Sequence, residues 1–217
     1  MTTKQTILLV TVIFVVSIGI GAYFYPLLPD MVASHWGMNG EVNGYMSKFW
    51  GLFLLPIIMI FISALLFWLP TIDPLKENVE QFRKLYNSVI AGIVVFLFYI
   101  HLLTVFWNAG YHFDMGKMVV PPLALLFYLL GSAMPKMKQN WFMGIRTPWT
   151  LESERVWSET HTLAGKLFRA SAIISIVGIF FPEYAFWFII VPILVSSFGS
   201  VIYSYVLFQK YGSDKKK

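Results

Sequence analysis

Residues 140–166 read N-W-F-M-G-I-R-T-P-W-T-L-E-S-E-R-V-W-S-E-T-H-T-L-A-G-K. The stretch is polar, charged and rich in tryptophan, and hydrophobic segments flank it on both sides. Thr147 before Pro148 reads as a helix N-cap followed by proline at the first helical position. Glu152 and Glu154 fall in the first turns, where the helix dipole favours negative charge. Val156, Thr160, Leu163 and Leu167 then recur at helical spacing and mark one face. The pattern predicts a shaped turn over 144–150 that feeds one helix, continuous with the next hydrophobic segment.

The composition sets the environment of that helix. The chain has 217 residues, 58% hydrophobic and 12% charged, with mean hydropathy +0.69. A soluble domain carries about 25% charged residues. Too few charges remain to cover a soluble surface, so this is an integral membrane protein. With no cysteine, disulfide frameworks and thiolate metal sites are excluded. The first hydrophobic segment has the length of a span and no clear small-residue cleavage site, and reads as a retained span.

Six segments are near the roughly 20 apolar residues that a span needs. They are 6–25, ending at Pro26; 50–69, ending at Pro70; 88–107; 119–134, ending at Pro135; 167–181, extended by the helix before it; and 184–208. Backbone groups in lipid must bond internally, so helices are the expected form. The fold class is an all-α integral membrane protein with six transmembrane helices. Its expected parts are an N-terminal two-span unit (1–70) with an extracellular loop (26–49), a middle pair (71–134) with an interfacial helix (74–86), and a last part (135–217) with a cytoplasmic loop (135–166) and two spans.

Of the sixteen lysines and arginines, all but Lys48 and Lys117 fall on the side of the N-terminus, the second and fourth loops and the C-terminal tail. Positive charge marks the cytoplasmic side, so both termini are expected inside. The net charge of +5 is then a topology signal rather than a sign of nucleic-acid binding. Lys215, Lys216 and Lys217 are expected to meet anionic headgroups. In the outer loop, Asn39-Gly40 and Asn43-Gly44 are turn dipeptides, and a short hairpin fits around Gly40, Glu41 and Val42. In the second loop Val79, Phe82 and Tyr86 share a helical face, and Glu80 is spaced to pair with Lys84.

No catalytic constellation emerges. His35, His101, His112 and His161 contain no i,i+4 pair, so a His-Glu-x-x-His zinc motif is absent. Neither a Gly-x-Ser-x-Gly elbow nor a phosphate-cradling glycine loop occurs. His35 and His112 are either ordinary interfacial histidines or, with Glu41 or Asp114, metal ligands; neither a metal nor another cofactor is required. His101 lies about two turns inside the third span. It is either a neutral imidazole bonded within the bundle, with Thr104 in reach, or a functional intramembrane group.

Three stretches together resemble one family. The first is Leu28-Pro29, His35-Trp36, residues 40–45 (G-E-V-N-G-Y) and Ser47-Lys48. The second is Asp73-Pro74-Leu75-Lys76-Glu77-Asn78 with Phe82, Lys84 and Tyr86-Asn87. The third is residues 144–150 (G-I-R-T-P-W-T), Glu154, Val156-Trp157 and residues 161–165. They are similar to the SdpI family of Sdp-type immunity and signal-transduction proteins in bacterial membranes; the first also occurs in proteins of unknown function. The resemblance implies a six-span plasma-membrane protein that protects against a secreted peptide toxin and holds a cytosolic repressor at the membrane. It makes Arg146, Thr147, Pro148, Trp149, Thr150 and Trp157 the candidate partner-binding residues, since Trp and Arg are enriched in interface hot spots. The bland counterpart is an interfacial anchor, with Arg146 on lipid phosphate and the tryptophans at headgroup depth. Pro29, His35, Trp36, Glu41, Gly44 and Tyr45 become the candidate peptide-sensing residues, against a compact lid over the bundle. A small transporter or a membrane enzyme acting on lipid is the alternative from another class.

Overall fold

The computed structural model describes residues 1–38 and 40–212. Asn39, of the expected Asn39-Gly40 turn, and Lys215, Lys216 and Lys217 lie outside the described residues. Helices α1 (Thr3–Phe24), α2 (Lys48–Ile72), α3 (Lys76–Gln81), α4 (Arg83–Asn108), α5 (Met115–Ala133), α6 (Pro148–Glu152), α7 (Glu154–Val177) and α8 (Ala185–Tyr211) follow one another. Strands β1 (Met31–Trp36) and β2 (Val42–Ser47) form an antiparallel hairpin between α1 and α2. Six of the helices, all but α3 and α6, are long and apolar enough to cross a membrane. The chain is a multi-pass, mainly helical membrane protein.

Several boundaries differ from expectation. Pro70 does not end the second span; α2 carries both Pro56 and Pro70 and continues to Ile72. Neighbouring helices can absorb a proline inside a span. The helix expected over 74–86 is two: Phe82 (φ −120°, ψ 20°) separates α3 from α4. Val79, Phe82 and Tyr86 are nevertheless all buried. Glu80 pairs with Arg83, one residue before Lys84, and that guanidinium holds its carboxyl below the usual carboxylate range. The helix begun at Pro148 stops at Ser153, whose backbone is extended and whose hydroxyl accepts the Val156 N–H. Ser153 is thus a second N-cap, competing with helix continuation as serine readily does.

The spans pack as three and three rather than in consecutive pairs. Helices α1, α2 and α4 form one group, and α5, α7 and α8 the other, with α4 against α5. In the second group α5 and α7 meet backbone to backbone. A Cβ on Gly165 would lie 2.6 Å from the Gly131 carbonyl oxygen, and one on Gly131 would lie 2.9 Å from that of Gly165. Small residues at such a crossing suit helices in lipid, where packing and hydrogen bonds replace the hydrophobic drive. Serines join α7 to α8, with Ser171 and Ser196 hydroxyls 2.8 Å apart. A cluster containing Met59, Val79, Phe82, Tyr86, Met137 and Trp157 ties the two groups at one end. That end carries the N-terminus, α3 and α6, and is called the basic end below; the hairpin marks the other.

Candidate functional site

At the basic end the chain from Asn140 to α7 is a closed hydrogen-bonded structure. Gly144 has φ +107°, and a Cβ there would run into His161 Nε2. The same Nε2 accepts the Ile145 N–H at 3.0 Å, and Nδ1 lies 2.8 Å from the Trp157 carbonyl oxygen. An atom that receives an N–H is the bare nitrogen, so Nδ1 carries the proton and donates to Trp157, and the ring is neutral. It stacks on the Trp157 indole at 4.0 Å. Trp157 Nε1 in turn donates to the Met137 carbonyl at 2.8 Å.

The turn is fixed from its other side by Thr147 and Thr150. Each hydroxyl accepts the other residue's backbone N–H, at 3.2 Å and 2.9 Å, a reciprocal cap that satisfies first-turn donors. Thr147 Oγ1 also lies 3.1 Å from Ser204 Oγ on α8, and the Trp149 ring meets Tyr205 edge-on at 5.1 Å. The loop is therefore fastened to both α7 and α8.

Asp73 fastens it to the first group. The carboxylate is buried; Oδ1 accepts the Leu75 N–H at 2.7 Å and Oδ2 the Trp141 N–H at 3.0 Å. Asn78 Nδ2 donates to the Gln139 carbonyl at 2.9 Å, and Gln139 Nε2 to that of Thr150 at 2.7 Å. The second and third sequence motifs thus form one unit. Asp73 was visible as a turn former, since aspartate bonds its own backbone two residues on; its long-range partner Trp141 has no sequence signal.

This placement sorts the six candidate residues of the loop. Arg146 and Pro148 are exposed and Trp149 is half-buried, while Thr147, Thr150 and Trp157 are interior. Trp157, only 2% exposed, belongs to the core and not to an outward surface. Burial suits an indole whose N–H has found an acceptor. Arg146 Nη1 donates to the Trp141 carbonyl at 2.7 Å, which restrains its direction.

At the opposite end the hairpin is clamped to α4. Asn108 Oδ1 accepts the Ala33 N–H at 2.7 Å, and its Nδ2 donates to the Ala33 carbonyl at 2.9 Å. Val32 and Ala33 face inward, with Val32 in a cluster with Leu28, Leu52 and Val105. Lys48 and Asp30 form an ion pair at 3.0 Å at the hairpin base. Outward, Pro29, His35, Glu41 and Tyr45 are exposed, and Gly44 is half-buried opposite His35. His35 Nδ1 lies 2.5 Å from Asn43 Oδ1. Trp36 is half-buried; it meets Trp107 edge-on at 5.4 Å, and Trp107 meets His112 at 4.5 Å. Trp36 is therefore more anchor than exposed contact.

Residues 136–204 match the SdpI/YfhL protein family, and residues 12–60 match a domain of unknown function, DUF1648. Over 211 residues the chain is 26% identical to "Immunity protein SdpI" of Bacillus subtilis (strain 168), covering 97% of each chain. The chain is thus similar to the SdpI/YfhL family over 136–204 and to that immunity protein along nearly its whole length. No solved structure matches. The SdpI/YfhL match contains the whole Gly144–His161 turn and its α8 partner Ser204, whereas the DUF1648 match contains the hairpin. Asp73 and Asn108, which tie these regions to α4 and its flank, lie between the two matched regions.

Among the described residues no group of three histidine or acidic side chains converges. His101 is fully enclosed, and neither nitrogen has a hydrogen-bond partner among the described residues. The expected partner, Thr104, bonds the Ile100 carbonyl instead at 3.0 Å. A helical threonine readily bonds back to the carbonyl four residues earlier.

Proposed function

We propose that this chain is an immunity-type protein of the plasma membrane that protects its cell from a secreted antimicrobial peptide without catalysis. The similarity to Immunity protein SdpI along 97% of both chains carries this reading. The basic end faces the cytoplasm and the hairpin faces outward, in keeping with the distribution of lysine and arginine. Pro29, His35, Glu41 and Tyr45 then present an exposed mixed surface to an extended peptide, with Trp36 and Gly44 shaping its support.

The reading extends to signalling. Helix α4 spans 26 residues, about 39 Å at 1.5 Å per residue. Asn108 holds the hairpin at one end of it, and Phe82, α3 and Asp73 lead to the basic loop at the other. A peptide acts through this route only if it binds two arrangements of the bundle with different affinity. Arg146, Pro148 and the open edge of Trp149 would then dock a cytosolic repressor. The enclosure of His101 argues against the transporter or lipid-enzyme alternative, because a transport path or active site needs access.

Expression in a peptide-sensitive strain tests the reading. Survival with the peptide recovered intact is the expected outcome. Unprotected cells, or protected cells with cleaved peptide in the medium, would contradict it.

A further inference from the structure

An open cleft of about 680 Å³ lies at the basic end, between the first turns of α1 and α4 and beside α3. Thr2 and Thr3 line one wall, and Arg83 and Lys84 another, with Lys136 completing it. Both first turns belong to long spanning helices, so the cleft sits at headgroup depth.

Its electrostatics are unusual. The N-terminus of a helix carries the positive end of the macrodipole and N–H groups without intrahelical acceptors, and first turns normally attract acidic side chains. Neither α1 nor α4 has an acidic residue in its first turn. Arg83 and Lys84 instead add positive charge there, and Lys136 adds more. Glu80 is the sole carboxylate among the lining residues, and it is engaged by Arg83. Two positive helix ends and three cations thus face one carboxylate.

A second observation concerns Asn87, which also lines the cleft. Its Nδ2 donates to Thr3 Oγ1 at 3.0 Å and links the two first turns. Its Oδ1 is buried without a partner among the described residues. An acceptor left open beside a cationic cleft suits a phosphate ester that also carries hydroxyl donors.

We propose that this cleft binds the headgroup of an anionic phospholipid, with the phosphate held by Lys84, Lys136 and the helix N-termini, and a headgroup hydroxyl directed to Asn87. Basic pockets between spanning helices are suited to such headgroups. The site is independent of the immunity reading.

The test uses the purified full-length protein in detergent micelles, titrated with dioctanoyl phosphatidylglycerol, dioctanoyl phosphatidylcholine or inorganic phosphate. Native mass spectrometry reads the bound ligand. Phosphatidylglycerol is expected to bind in preference to the other two. The pair Lys84→Ala and Lys136→Ala should weaken it roughly thirtyfold, from the attraction that each basic side chain near a membrane contributes. The pair Lys84→Gln and Lys136→Gln keeps the side-chain stems and should show the same loss, should the alanine pair fold poorly. A control pair outside the cleft, Lys138→Ala and Lys166→Ala, should leave binding unchanged. Equal loss in the control, or none in the cleft variants, overturns the site. Inorganic phosphate binding as tightly as phosphatidylglycerol overturns the lipid assignment.

Discussion

His161 Nε2 accepts the Ile145 amide proton at 3.0 Å, across a turn in which residue 144 stands at φ +107°. The bond and the backbone angle require each other. A side chain at 144 would be strained by that φ and would occupy the space of the imidazole nitrogen. The stacked pair of Trp157 and His161 thereby sets the shape of the loop between α5 and α7, which Asp73 fastens to the first group of spans.

Gly144→Ala is therefore expected to destabilise the protein by about 1–3 kcal/mol, from left-handed strain and the lost hydrogen bond. Thermal unfolding in detergent measures this. Gly199→Ala is the internal comparison: nothing lies within 4 Å of a Cβ placed there, so its melting temperature should be unchanged or raised. Equal melting temperatures for wild type and Gly144→Ala would remove the steric account of the turn.

Asp73 offers a second test. Its two oxygens accept two backbone N–H groups from different loops. Asp73→Asn turns one acceptor into a donor facing an N–H. The expected cost is about 1–3 kcal/mol, as for a buried donor left unsatisfied, with faster tryptic cleavage at Lys138 and Arg146. Glu80→Gln perturbs a partly exposed ion pair and should cost no more than about 1 kcal/mol. Identical digestion patterns for wild type and Asp73→Asn would show that Asp73 does not hold the loop.

The sequence was most informative where local chemistry decides the outcome. The Thr147 cap, the proline start, the hairpin around Gly40 and six apolar helices all follow from short-range rules. The interruptions at Phe82 and Ser153 did not, because each is a local choice between continuing a helix and bonding elsewhere. Trp157 was readable as important but not as buried, since its acceptor at Met137 comes from a distant segment. The grouping of α4 with α1 and α2 depends on contacts such as Asn108 with Ala33, which no periodicity encodes.

Orientation is open to chemical labelling because the chain has no cysteine. Ser47 on the hairpin and Ser158 near the start of α7 are both exposed. Ser47→Cys is expected to react with an impermeant thiol reagent on intact cells, and Ser158→Cys only after permeabilisation. The opposite pattern would invert the topology and move the hairpin to the cytoplasm.

The central claim is that the outward face of the hairpin meets the peptide. His35 and Tyr45 are exposed there, Tyr45 at 62%, so replacing both with alanine should leave the inward contacts of Val32 and Ala33 intact. The most direct measurement is the membrane potential of peptide-sensitive cells expressing wild type or the His35→Ala, Tyr45→Ala variant, at matched abundance, during exposure to the peptide. The account predicts that wild type holds the potential and that the variant loses it as undefended cells do. A variant that holds the potential as well as wild type would contradict it.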